Sequence, residues 1–168
     1  IKKNKTLFIM TKPLAVITGA SSGIGEATAK AFSEAGYPTL LLARRVEIME
    51  SFNLKNSICK KVDVRDRDAL VSAVREAEAI YGPTDMMFNN AGVARLADIS
   101  TQDPNEWDEM IDVNTKGVMN GIYAVMSDMK ARKSGTIINM SSIAGRKVYE
   151  DHTVYCGTKY FVHAISES

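Results

Sequence analysis

The chain has little of what an exported or membrane-bound protein needs. It has only two cysteines, Cys59 and Cys156, and their separation fits no metal-binding pattern. Reduced thiols in a cytoplasmic protein are therefore expected, not a disulfide framework or a zinc site. No apolar run approaches the length that spans a bilayer. The start, "IKKNKTLFIM", is basic, but its only apolar run is the four residues Leu7 to Met10, whereas a secretory core needs about 7–15. Because residue 1 is Ile, translation is expected to begin at Met10, with residues 1–9 a leader or a cloning remnant. No sign of charge dominates either. The net charge of +1 gives no electrostatic reason to expect nucleic acid or a membrane surface as a partner. Linkers, repeats and low-complexity segments are absent, so residues 10–168 are expected to form one domain.

What is present is an ordinary globular composition, 45% hydrophobic and 24% charged, at a length sufficient for a sizeable core. "LAVIT" (Leu14–Thr18) and "TLLLA" (Thr39–Ala43) read as buried strands, and "SICKKVDV" (Ser57–Val64) as a weaker one. Between the first two lies a helical pattern with Ile24, Ala27, Ala31 and Ala35 on one face, ending at Gly36. Residues 66–81 put Leu70, Val74, Ala77 and Ile80 on one helical face, stopped by Gly82-Pro83. "DMMFNNAG" reads as strand and loop. Asp103-Pro104-Asn105-Glu106 reads as an N-cap, a first-turn proline and a capping-box acid opening a long helix that ends near Lys133. "GTIINMSS" is a fifth strand, and a last helix starts near Thr153. Strands alternating with helices predict an α/β fold: a Rossmann-like, doubly wound parallel sheet in three α/β/α layers, with strand order 3-2-1-4-5.

The turn after the first strand, "TGASSGIG", supplies Gly19, Gly23 and Gly25. Gly19 permits a tight turn, Gly23 lets backbone approach a pyrophosphate, and Gly25 lets the helix pack on the strand. The helix N-terminus then offers unpaired N–H groups to an anion. No Gly-Lys-Ser/Thr follows, so this is not a Walker loop. The alternative is a plain glycine-rich turn without a ligand.

In this glycine spacing the chain resembles the short-chain dehydrogenase/reductase family. The resemblance continues through "NNAG" (Asn89–Gly92), "VNTKG" (Val113–Gly117), "INMSS" (Ile138–Ser142) and "YCGTK" (Tyr155–Lys159), which span almost the whole chain in the family's order. It implies a nicotinamide cofactor held by Gly19, Ser21, Ser22, Gly23, Ile24 and Gly25, by Asp63 and Val64 at the adenine, and by the loop Asn90, Ala91 and Gly92. For Asp63 the residues alone leave a cap on the next helix almost as open. The end of the second strand bears on cofactor choice. NAD enzymes usually hold the ribose 2′-OH with an acid there; here Ala43 stands in that position, followed by Arg44 and Arg45. A guanidinium grips a 2′-phosphate that a carboxylate would repel, so NADP(H) is expected over NAD(H), with Arg44 as its ligand. Ser22 stands where some NADP-using relatives carry a basic residue.

Hydride arriving at a carbonyl leaves negative charge on oxygen, which calls for a proton donor and hydrogen bonds aimed at it. A free phenol keeps its proton up to a pKa of about 10, and a neighbouring lysine cation favours its ionised form. Tyr155 and Lys159, four residues apart, share one helical face. The resemblance assigns Tyr155 as acid in reduction and base in oxidation. It gives Lys159 the tyrosine and the nicotinamide ribose, Ser142 (13 residues before Tyr155) the substrate oxygen, and Asn114 a water that relays protons. Asn114 and Gly117 also sit in a helical stretch they do not favour, a local conflict that marks functional sites. His152 and His163 show no acidic partner and are given no role. The expected function is an NADP(H)-dependent oxidoreductase interconverting an alcohol and a ketone or aldehyde; the alternative is a non-catalytic NADP-binding sensor or scaffold of the same fold. The resemblance further implies a homodimer or homotetramer, for which Val118, Ile122, Val125 and Met129 suit either a subunit face or packing on the sheet. It also implies a longer chain, with substrate-selecting strands and lid beyond Ser168.

Overall fold

A computed structural model of the chain describes residues 12–168; the expected leader, residues 1–9, lies outside them. Five parallel strands form one sheet in the order β3-β2-β1-β4-β5: β1 Leu14–Thr18, β2 Thr39–Ala43, β3 Ser57–Lys61, β4 Thr84–Asn89 and β5 Thr136–Asn139. The expected order is the observed one. In register, Val16 lies beside Leu40 and Met87, and Ile17 beside Leu41 and Phe88. The side-chain period of two then divides the core. Val16, Leu40, Leu42 and Met87 face α3 (Arg67–Tyr81) and α5 (Gly117–Arg132). Ile17, Leu41, Ala43 and Phe88 face the side of α1 (Gly23–Glu34) and α2 (Val46–Glu50). Each fully buried Leu, Ile or Val contributes about 1.5–3 kcal/mol of transfer free energy, which is why continuous apolar runs suit strands covered on both sides.

Several local expectations needed correction. The short helix α2 was missed; at five residues it shows too little periodicity to stand out. β3 stops at Lys61; Val62 keeps one bond to β2, and Val62–Val64 line the cleft described below. On α1 the buried side is Gly25 and Ala29, while Ile24, Ala27, Ala31 and Ala35 are exposed. Alanine favours helix whichever way it faces, so it marks the helix but not its inner side. On α3, Leu70, Val74 and Ala77 are buried as expected, but Ile80 is exposed. Asp66 caps α3 by accepting from Ala69 N at 3.0 Å.

The long helix is two, α4 (Pro104–Ile111) and α5, joined by a π-helical turn at Asp112–Lys116. Asp103 caps α4 through Asn105 N at 2.9 Å. Glu106 does not close the box; its carboxylate accepts from Gln102 Nε2 at 3.3 Å. On α5, Val118, Val125 and Met129 are buried and so belong to the core, while Met119, Tyr123 and Met126 are exposed. The last helix, α6, spans Thr153–Glu167. Among the described residues no helix is long and apolar enough to cross a membrane.

Candidate active site

One open cleft of about 610 Å³ runs along the C-terminal ends of the strands, the edge where ligands bind in open parallel sheets. It gathers residues from the whole chain: Gly19, Ser21, Ser22 and Ile24 from the first turn, Arg44 after β2, Asp63 and Val64 after β3, Asn90, Ala91 and Gly92 after β4, and Ser142, Tyr155 and Lys159. Of the expected site residues, Gly23, Gly25 and Asn114 do not line it.

The turn after β1 is built on contact. Gly19 has φ +64°, and a Cβ on Gly25 would lie 2.4 Å from the Gly19 carbonyl oxygen and 2.6 Å from Asn90 Nδ2. Asn90 Nδ2 donates to Thr18 O at 3.0 Å and to Gly19 O at 3.3 Å. The Thr18 hydroxyl accepts from the backbone N–H of both Asn90 and Ala91, each at 3.0 Å. Asn90 and Thr18 thus lock the two loops that form the cleft floor. A Cβ on Gly23, by contrast, would meet nothing within 4 Å, so the loop is open at that position.

Beyond β2 the two arginines diverge. Arg44 is exposed and 4.0 Å from Glu109. Arg45 folds back so that its guanidinium donates to Ser21 Oγ at 3.3 Å and Ser22 Oγ at 3.4 Å. The sequence reading singled out Arg44; only the fold brings Arg45 onto the glycine loop. Asp63 does not cap α3. Its carboxylate accepts from Arg65 Nε at 3.0 Å and from an Arg65 terminal nitrogen at 2.6 Å. Those bonds hold its pKa below the usual carboxylate range.

At the other end, α6 carries Tyr155 and Lys159. Lys159 is 5% exposed, and its amine donates to Met140 O at 2.8 Å and lies 5.7 Å from the Tyr155 ring centre. Burial pushes its pKa below the ordinary lysine value because an ammonium out of water lacks solvation. Ser141 and Ser142 separate cleanly. The Ser141 hydroxyl donates to Lys159 O at 3.1 Å, whereas Ser142 Oγ accepts from Ala144 N at 3.1 Å, which leaves its O–H for a ligand.

Asn114 lies in the π-helical turn, a device common at functional sites. Its amide accepts from Val93 N and donates to Val93 O, both at 2.8 Å, and donates to Thr158 Oγ1 at 3.1 Å. It sits just behind the cleft wall: a Cβ on Gly92 would be 3.3 Å from Asn114 Oδ1 and 3.6 Å from Lys159 Nζ. His163 has an acidic partner after all, Glu167 at 3.5 Å. Neither His163 nor His152 lines the cleft.

A family model for short chain dehydrogenases matches residues 13–168. The chain belongs to the short chain dehydrogenase family. An uncharacterized oxidoreductase of Staphylococcus saprophyticus is 45% identical over 156 residues, covering 90% of this chain and 63% of that protein. One of Listeria monocytogenes is 44% identical over 158 residues, covering 90% and 64%. This short chain dehydrogenase therefore spans less than two thirds of the length of those relatives. Among solved structures, the serine dehydrogenase of Escherichia coli superposes with a TM-score of 0.87 at 32% identity, over 92% of this chain and 73% of that one. A metagenomic short-chain oxidoreductase in complex with NADP gives 0.84 at 32% identity, over 91% and 72%.

Proposed function

We propose that the protein is an NADP(H)-dependent oxidoreductase that interconverts an alcohol and a ketone or aldehyde. The observation that carries this reading is the convergence of Ser142, Tyr155 and Lys159 on the same cleft as the glycine turn. The residues fit a nicotinamide dinucleotide. The cleft has a volume suited to one, the open glycine loop and the start of α1 suit a pyrophosphate, and Asp63 and Val64 suit the adenine. Arg45, bridging Ser21 and Ser22, together with Arg44, suits a 2′-phosphate. Relatives crystallised with NADP support a cofactor of this class.

When bound, the reduced nicotinamide supplies a hydride to the substrate carbon. Ser142 donates its free O–H to the substrate oxygen, and Tyr155 gives that oxygen a proton as charge develops on it. The Lys159 ammonium, anchored on Met140 O, stabilises the charge left on the tyrosine oxygen and holds the ribose. Asn114 stands behind this pair, pinning Val93 and Thr158; proton relay through a water at Asn114 belongs to the same proposal. In the oxidation direction Tyr155 takes the proton back. We assign the exposed Met119, Tyr123 and Met126 of α5 to the contact face of a homodimer or homotetramer. The test is NADPH oxidation by the full-length protein with a panel of ketones and aldehydes, wild type against Tyr155→Phe. Turnover by the wild type and a loss of about 10²–10⁴-fold in the variant is expected. Cofactor binding without turnover in either form would instead point to the sensor reading.

A further inference from the structure

We infer that Asn120, outside every recognised motif, is a positioning residue for the adenine wall of the cleft. Past Lys61 the ladder to β2 continues with a single bond, Val62 N to Ala43 O at 3.0 Å. Asp63 and Val64, which line the cleft, therefore lie beyond the strand that would otherwise hold them. Asp63 is held by its own turn, through Arg65 and Asp66 N, whereas the support of Val64 comes from α5. Asn120 is 3% exposed; its Nδ2 donates to Val64 O at 2.8 Å and reaches Arg65 O at 3.4 Å. Its Oδ1 accepts from Arg67 Nε at 3.0 Å, and the Arg67 guanidinium lies 5.4 Å from the Tyr123 ring centre. The amide orientation is thus set from outside by Arg67 and delivered inside to Val64.

One turn earlier the same helix grips Val64 by its side chain. A Cβ on Gly117 would stand 2.6 Å from Val64 Cγ2, so Val64 is nested on bare backbone. Held at its carbonyl and its side chain by one rigid helix, Val64 has no freedom to drift. An amide is the group that can do this, because it presents a donor to a carbonyl and an acceptor to a guanidinium at once. An apolar residue would leave the buried Val64 carbonyl without its partner.

The inference rests on the nucleotide reading and predicts an effect on one half of the ligand only. The full-length protein is titrated with adenosine 2′,5′-bisphosphate and, separately, with reduced nicotinamide mononucleotide. In Asn120→Asp the donor to Val64 O becomes a carboxylate facing a carbonyl, so the adenosine compound should bind about tenfold more weakly or worse, with the nicotinamide half unchanged within about twofold. Equal weakening of both halves would make Asn120 a general structural residue and overturn the inference, as would no weakening. A wild type that binds neither half overturns the nucleotide reading itself. Should Asn120→Asp fail to fold, Arg67→Met at an exposed position loosens the same strut. It should cost about two- to fivefold for the adenosine compound alone, and equal affinities there overturn the inference too.

Discussion

Replacing Gly25 by alanine tests whether the glycine turn is as tightly built as its contacts imply. The added Cβ would stand 2.4 Å from the Gly19 carbonyl oxygen, a backbone atom, and 2.6 Å from Asn90 Nδ2. Neither can yield cheaply. Gly19 is fixed by the turn after β1, and Asn90 is bonded to Thr18 O and Gly19 O. Overpacking of this kind costs about 1–3 kcal/mol, and losing the weaker Asn90 bonds adds about 1 kcal/mol. The sum, about 2–4 kcal/mol, is a large share of a typical stability of about 5–15 kcal/mol. At about 2–4 °C per kcal/mol for a chain of this size, the melting temperature should fall by about 5–15 °C. Gly23→Ala provides the contrast. Its Cβ would meet nothing, so only the positive φ opposes it, at about 1–2 kcal/mol. Melting curves and NADPH titrations on both variants and wild type decide the matter. Gly25→Ala should be the less stable and should also bind the dinucleotide more weakly, because the floor of the cleft has moved. A melting temperature for Gly25→Ala equal to that of Gly23→Ala, with nucleotide binding intact, would refute the close-packed turn.

Lys159→Met should abolish turnover and change how stability depends on pH. The native amine releases its proton below the ordinary lysine value, so between that point and the unfolded pKa of about 10.4 the unfolded chain binds more protons. The buried ammonium therefore opposes folding, and wild type gains on the variant as pH rises through that window; urea unfolding across pH that shows a flat or reversed difference would refute this. Arg45→Ser and Arg44→Asp should each raise the KM for NADPH by about tenfold or more, a loss of charge-assisted bonds of about 1.5–3 kcal/mol, while leaving that for NADH little changed. An unaltered preference in either variant removes that arginine from the proposal.

The sheet was legible because its signals are cooperative along the chain. Five short strand segments separated by helical patterns call for a doubly wound parallel sheet, and Val16, Leu40, Leu41 and Met87 are buried as such strands require. What failed was orientation within elements whose side chains carry little information. An alanine-rich helix such as α1 forms with any face inward, so its inner side is set by where Gly25 can touch Gly19, a contact made across the turn and invisible to periodicity. Val118, Val125 and Met129 suited two surfaces in the sequence, and the packing of α5 on the sheet resolved them to the core.

The candidate site was legible at the residues whose chemistry is local and obscure where support comes from afar. Tyr155 and Lys159 sit one helical turn apart, so their proximity follows from the helix itself. The Met140 carbonyl that anchors Lys159 is 19 residues away, and the Val93 backbone that occupies Asn114 is 21 residues away; backbone groups of this kind leave no residue-type signature. Arg45 illustrates the remaining limit. Two adjacent arginines form the link between the end of β2 at Ala43 and the start of α2 at Val46, and in that link one guanidinium turns to the glycine loop and the other to Glu109. Which does which depends on where the strand stops, a boundary that sequence patterns leave open by a residue or two, and that single residue decides which guanidinium meets Ser21 and Ser22.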